Sequence, residues 1–110
     1  CKVAGSKVIV VLGHEGCGAV KAACDGVKLG NITALLSNIQ PAVDTVKTSI
    51  DGPHDSGNSA FVNATIIENV NHTIDQIRSM SPILSALESE GSIAIKGGVY
   101  QLASGAVHWV

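Results

Sequence analysis

One imidazole and one thiol, His14 and Cys17, stand three positions apart in a turn with glycines at 13, 16 and 18. Those residue types and that spacing admit four chemistries. Together, His and Cys are ligands of the borderline-soft kind that zinc takes. A Cys at a helix start beside a His can also be an activated nucleophile. However, Glu15 and Ala19 stand two residues either side of Cys17, where a G-x-S-x-G-type nucleophile turn would carry glycines. A phosphate-cradling loop fits poorly, because the glycine pattern is G-x-x-G-x-G and no G-K-[ST] follows. The plainest option is a free Cys buried where a helix begins. The turn taken alone leaves the buried-thiol and half-zinc-site readings open.

Two elements must position this turn. Before it, residues 7–12 (Lys-Val-Ile-Val-Val-Leu) form an apolar run without polar alternation, which predicts a strand buried on both faces of a parallel sheet. After it, a helix begins near Cys17, with Val20 and Cys24 on the same face, so Cys24 reads as core. A turn so placed lies beyond the carboxyl end of a strand, where ligands of open α/β sheets collect.

The remaining chain predicts the layers that cover such a strand. Asp25-Gly26 ends the first helix, and Asn31 is a cap for the next. That helix carries Leu35, Leu36, Ile39, Val43, Val46 and Ile50 at helical spacing, and Pro41 must interrupt or kink it. Residues 51–59 are a loop. A long helix is predicted over 60–79, capped by Ser59, with Phe61, Ile66, Ile67, Val70, Ile74 and Ile77 in one stripe. Ser81-Pro82 starts a short helix that Gly91 ends. Residues 92–102 read as a strand whose Gly97-Gly98 marks a bulge or a close backbone approach. A turn at 103–105 leads to a last, edge strand over 106–110.

Composition bounds the function classes. With 110 residues the chain is at most one domain, and an apolar content of 45% makes it globular. A net charge of −2 provides no electrostatic footprint for nucleic acid or an anionic membrane. No apolar run reaches transmembrane length. Cysteines at 1, 17 and 24 make no disulfide framework, which points to a reducing, cytoplasmic setting. Among the four histidines, His54 in the loop is a candidate proton shuttle, while His72 and His108 read as solvent-side residues.

The turn, read with its flanks, resembles a known family. Val10-Val11-Leu12-Gly13-His14-Glu15-Gly16-Cys17-Gly18-Ala19-Val20 is similar to the zinc-binding turn of the β-class carbonic anhydrases, an aliphatic strand followed by G-H-x-x-C-G-A. Gly30-Asn31-Ile32 through Ile39-Gln40-Pro41-Ala42-Val43 resembles the family's next helical stretch. Glu68-Asn69-Val70 and Ser81-Pro82-Ile83-Leu84 resemble the E-N-V and S-P-x-L pair of bacterial members. The stretch from Gly97 to Val107 is similar to their terminal hairpin, with Gly98 for the usual Ala and Gln101 for the usual Asp. The likeness runs in order through nearly the whole chain.

The resemblance implies an α/β fold, a mainly parallel β-sheet flanked by helices, and zinc-dependent interconversion of carbon dioxide and bicarbonate. It carries over His14 and Cys17 as Zn2+ ligands and Gly18 as a residue that shapes the turn. One imidazole and two thiolates would hold the metal, which brings the pKa of water towards neutrality. The family's other thiolate lies in a C-x-D-x-R motif on an earlier strand. No C-x-D-x-R occurs here, so the catalytic Asp–Arg pair has no counterpart in these residues. The expectation is a single, partial domain over 1–110, inactive by itself. Its partner would be a second copy or a missing N-terminal segment covering the apolar strand and the Trp109-Val110 end. Cys1 is a poor substitute ligand, because a strand rising about 3.3 Å per residue would hold it at the far end from His14. Two alternatives are a non-catalytic module that kept the turn, and a same-fold hydrolase of another small molecule such as carbon disulfide.

Overall fold

In a computed structural model, residues 5–28 and 30–110 are described. The element order is β1 (Val8–His14), α1 (Gly18–Cys24), α2 (Gly30–Leu36), α3 (Gln40–Lys47), α4 (Ser59–Met80), α5 (Pro82–Ser89), β2 (Ala94–Tyr100) and β3 (Val107–Trp109). The strands form one sheet in the order β1-β2-β3. β1 and β2 are parallel and in register from Val8 opposite Ala94 to His14 opposite Tyr100. β3 runs antiparallel to β2, with Gly98 opposite Trp109 and Tyr100 opposite Val107. The predicted α/β architecture is therefore observed, with its long pairing parallel.

α4 is the central element. It lies across β1 and β2, and α1, α3 and α5 pack against it. Asn58, not Ser59, caps it, accepting the Phe61 N–H on its side chain. Phe61, Val62, Thr65, Ile66, Val70 and Ile74 are buried along its length. Thr65 is a polar residue at 0% exposure, and its hydroxyl donates to the Phe61 carbonyl at 2.8 Å, so burial leaves no unmet donor. The long segment from Asn31 to Ile50 is two helices rather than one. Pro41 sits in the first turn of α3, where its missing N–H costs nothing, and Asn31 lies inside α2 instead of capping it. Ser81 caps α5 as predicted, accepting the Leu84 N–H.

Close approach of α4 to the sheet explains two glycines. A Cβ on Gly97 would meet Val70 Cγ1 at 2.7 Å and Ile74 Cδ1 at 2.9 Å, and one on Gly13 would meet Val70 Cγ2 at 3.0 Å. Gly97-Gly98 is thus a close approach, with no bulge in the ladder. Gly98 performs the same service on the other face, against Val107 and Trp109.

The prediction that β1 is buried on both faces is not met. Ile9 and Val11 face α4, while Val8, Val10 and Leu12 on the opposite face are 50%, 46% and 53% exposed. β1 is an edge strand, and among the described residues no helix covers its second face. Trp109 and Tyr100 share that open face through their register with Gly98 and His14. The radius of gyration is 15.4 Å, against roughly 13 Å for a compact domain of this length.

Candidate metal centre

β1 continues two residues further than the apolar run suggests, so His14 is its last residue and the turn proper is 15–17. The extension follows from pairing, since the Glu15 N–H donates to the Tyr100 carbonyl at 3.1 Å and prolongs the ladder. Gly16 has φ of +65°, a left-handed conformation that favours glycine. Cys17 is the N-cap residue of α1, but its side chain makes no capping hydrogen bond, which leaves the thiol available. The turn is therefore short and sharply bent, with its imidazole at one end and its thiol at the other.

His14 and Cys17 open onto the same cleft, a space of about 310 Å³ at the carboxyl end of β1. Val11, Leu12, Gly13, Val20, Ile66 and Val70 supply its apolar wall, and Asn69 and Thr73 of α4 supply polar groups. The cleft borders β1, whose outer backbone edge has no neighbouring strand among the described residues. His14 Nδ1 lies 2.9 Å from the Glu15 carbonyl oxygen. A carbonyl only accepts, so Nδ1 is the donor in this contact, and in the neutral ring that tautomer keeps the Nε2 lone pair for a ligand. His14 is exposed and Cys17 half-buried.

This donor set fits zinc as two of its four ligands. Imidazole nitrogen and thiol sulfur are both usual zinc donors, and the ring is held by a hydrogen bond of the kind that fixes metal-ligating histidines. No group of three or more His, Cys, Asp or Glu side chains able to hold a metal exists among the described residues. The Asp–Arg pair has no counterpart in this cleft either, because its lining carries no acidic or basic side chain other than His14.

The other sequence-predicted residues fall elsewhere. Cys24 is buried in the helical core beside Thr65, and desolvation pushes its thiol pKa up. His54 is in the 51–58 loop, its Nε2 2.6 Å from the Ile50 carbonyl and its ring against Phe61, and it does not line the cleft. His108 is exposed, and His72 is half-buried rather than fully on the solvent side. Cys1 lies outside the described residues. A Cβ on Gly18 would meet nothing within 4 Å, whereas one on Gly13 would meet Val70 Cγ2 at 3.0 Å. Sequence reasoning missed Asn69 and Thr73, whose side chains reach the cleft only through tertiary placement, and Glu15, whose side chain accepts the Leu102 N–H.

Residues 1–107 match the sequence pattern of a family described as carbonic anhydrase. A carbonic anhydrase of Mycolicibacterium smegmatis is 34% identical over 100 residues, covering 91% of this chain and 47% of the relative. Among solved structures, the β-carbonic anhydrase CafA of the fungal pathogen Aspergillus fumigatus superposes with a TM-score of 0.80 at 21% identity. That likeness covers 99% of this chain and 50% of CafA. The Coccomyxa β-carbonic anhydrase in complex with acetazolamide gives a TM-score of 0.73 at 24% identity, covering 94% of this chain and 46% of that one. The chain thus spans about half the length of the relatives it matches.

Proposed function

The chain belongs to the β-class carbonic anhydrase family, and on that premise we propose that it carries part of the zinc centre of an enzyme that interconverts carbon dioxide and bicarbonate. The observation that carries this reading is the convergence of His14 and Cys17 on one cleft beside the open edge of β1. His14 would bind the metal through Nε2, its Nδ1–H being held by the Glu15 carbonyl, and Cys17 through Sγ. When bound, zinc supplies Lewis acidity that brings the pKa of water near neutrality.

The chain's own residues account for the rest of the site in physical terms. The aliphatic wall from Val11, Val20, Ile66 and Val70 suits an uncharged, apolar substrate such as carbon dioxide. Asn69 and Thr73 offer hydrogen-bonding groups to a polar product or to water. The Thr73 hydroxyl donates to the Asn69 carbonyl at 2.9 Å, which fixes its rotamer and leaves its oxygen free to accept.

The third protein ligand comes from outside the described residues. The edge of β1 is the place for it, because a strand added there would bring a side chain alongside the cleft. The open face of Val8, Val10 and Leu12 supports the same view of an incomplete surface, filled by a second copy or by an additional segment. Metal binding through Cys17 requires a free thiol, consistent with a reducing, cytoplasmic setting.

Stopped-flow measurement of carbon dioxide hydration tests the proposal. The isolated, zinc-supplemented chain is expected at or near the uncatalysed rate, because two protein ligands do not close a site. Supplying the third ligand in a longer polypeptide or an assembly should raise the rate, and Cys17→Ser should abolish that gain. An assembled, zinc-loaded protein without activity would favour a non-catalytic module. Robust activity of the isolated chain, lost in Cys17→Ser, would overturn the two-donor description.

A further inference from the structure

We infer that Glu15 is a positioning residue that sets the orientation of the His14 imidazole by tying the metal turn to the β2–β3 hairpin; the inference rests on His14 and Cys17 being metal ligands. Three hydrogen bonds meet at this one residue. Its carbonyl accepts from His14 Nδ1 at 2.9 Å, its N–H donates to the Tyr100 carbonyl at 3.1 Å, and its Oε1 accepts the Leu102 N–H at 3.0 Å. Any residue but proline could make the two backbone bonds. Only a side chain of this length and acceptor chemistry makes the third, across 87 positions of sequence.

The far end of that tie is itself well anchored. Gln101 N–H donates to the Ala106 carbonyl and Gly105 N–H to the Gln101 carbonyl, both at 2.8 Å. The Ser104 hydroxyl donates to Gln101 Oε1 at 3.2 Å. Leu102 also closes over the turn, its Cδ1 3.6 Å from where a Cβ of Gly16 would stand. The Glu15 peptide is thus clamped on the ladder side by Tyr100 and on the side-chain side by Leu102. Its carbonyl, which holds the Nδ1 proton, cannot rotate freely. Such partners of metal-ligating histidines fix ring and tautomer, and their loss typically lowers metal affinity about 10- to 100-fold.

The test is a Co2+ titration of the full chain, read by the thiolate-to-cobalt absorption band, for the parent and for Glu15→Ala, Glu15→Gln and Glu15→Asp. Gln keeps the acceptor at the same reach without the charge, whereas Asp keeps the charge and shortens the reach. The expected result is affinity lowered about tenfold or more in the Ala and Asp variants and held within about threefold in Gln. In parallel, ¹⁵N NMR of the metal-free chain should show the His14 ring as the Nδ1–H tautomer in the parent and Gln proteins, with a mixture in Asp. If Ala does not fold, the Gln–Asp contrast decides. Equal affinity in all four proteins, or rescue by Asp and not Gln, would overturn the inference while leaving the ligand assignment standing. A parent chain without a cobalt–thiolate band, or with one that survives Cys17→Ser, would instead overturn the ligand assignment and the inference with it.

Discussion

Substitution of Gly97 by Ala probes the packing that sets the depth of the cleft. The added Cβ would stand 2.7 Å from Val70 Cγ1, 2.9 Å from Ile74 Cδ1 and 3.2 Å from Val110 Cγ2. Real carbons need about 3.5–4.0 Å, so α4 or its side chains must move. Ile74 Cδ1 is the end of a flexible chain and can swing away. Val70 is β-branched and stiff, so its methyl can retreat only with the helix. Overpacking of this kind costs roughly 1–3 kcal/mol. Removing a strand glycine recovers about 0.5–1 kcal/mol of backbone entropy. The net expectation is a loss of about 1–2 kcal/mol. Gly13→Ala meets its neighbours at 3.0 and 3.1 Å and should cost less, while Gly18→Ala, with nothing within 4 Å, should be neutral or stabilising. Urea unfolding followed by circular dichroism gives all three, with the slope unchanged if only the native state is strained. Because Val70 also lines the His14–Cys17 cleft, Gly97→Ala should weaken metal binding as well. A Gly97→Ala protein as stable as the parent would refute the reasoning, because it would mean that α4 moves away from the sheet at no cost.

Two further expectations concern pH and assembly. The Ser56 hydroxyl and backbone N–H donate to the two Asp25 oxygens at 2.6 and 2.8 Å, holding that carboxyl below its ordinary range. A depressed carboxylate contributes stability above its unfolded pKa of about 3.9 and loses it as pH falls through the folded value. Asp25→Ala should therefore lower the urea midpoint at pH 7 and leave it closer to the parent's in strong acid; an equal loss at both would contradict the assignment. The open face of β1 should make the chain associate at micromolar concentration, and Val10→Lys with Leu12→Lys should weaken that association. A parent chain that sediments as a monodisperse species of 11.2 kDa would count against an interface there.

Much of this architecture is legible in local sequence because local physics decides it. Ser81-Pro82 starts α5 since a hydroxyl cap and a fixed φ act within one turn, and the 60–79 stripe becomes α4 since one helix face must be buried. The pairing of His14 with Cys17 is equally local, for three residues of turn cannot carry them far apart. Other features depend on partners distant in the chain. The end of β1 at His14 instead of Leu12 is set by Tyr100, and the need for glycine at 97 by Val70 and Ile74. Glu15 looks like an ordinary turn residue until Leu102 arrives from 87 positions away to donate to it. The exposure of Val8, Val10 and Leu12 could not be read from their types either. Hydrophobicity states a preference for burial, but only the arrangement of neighbouring elements decides whether anything lies there to bury it.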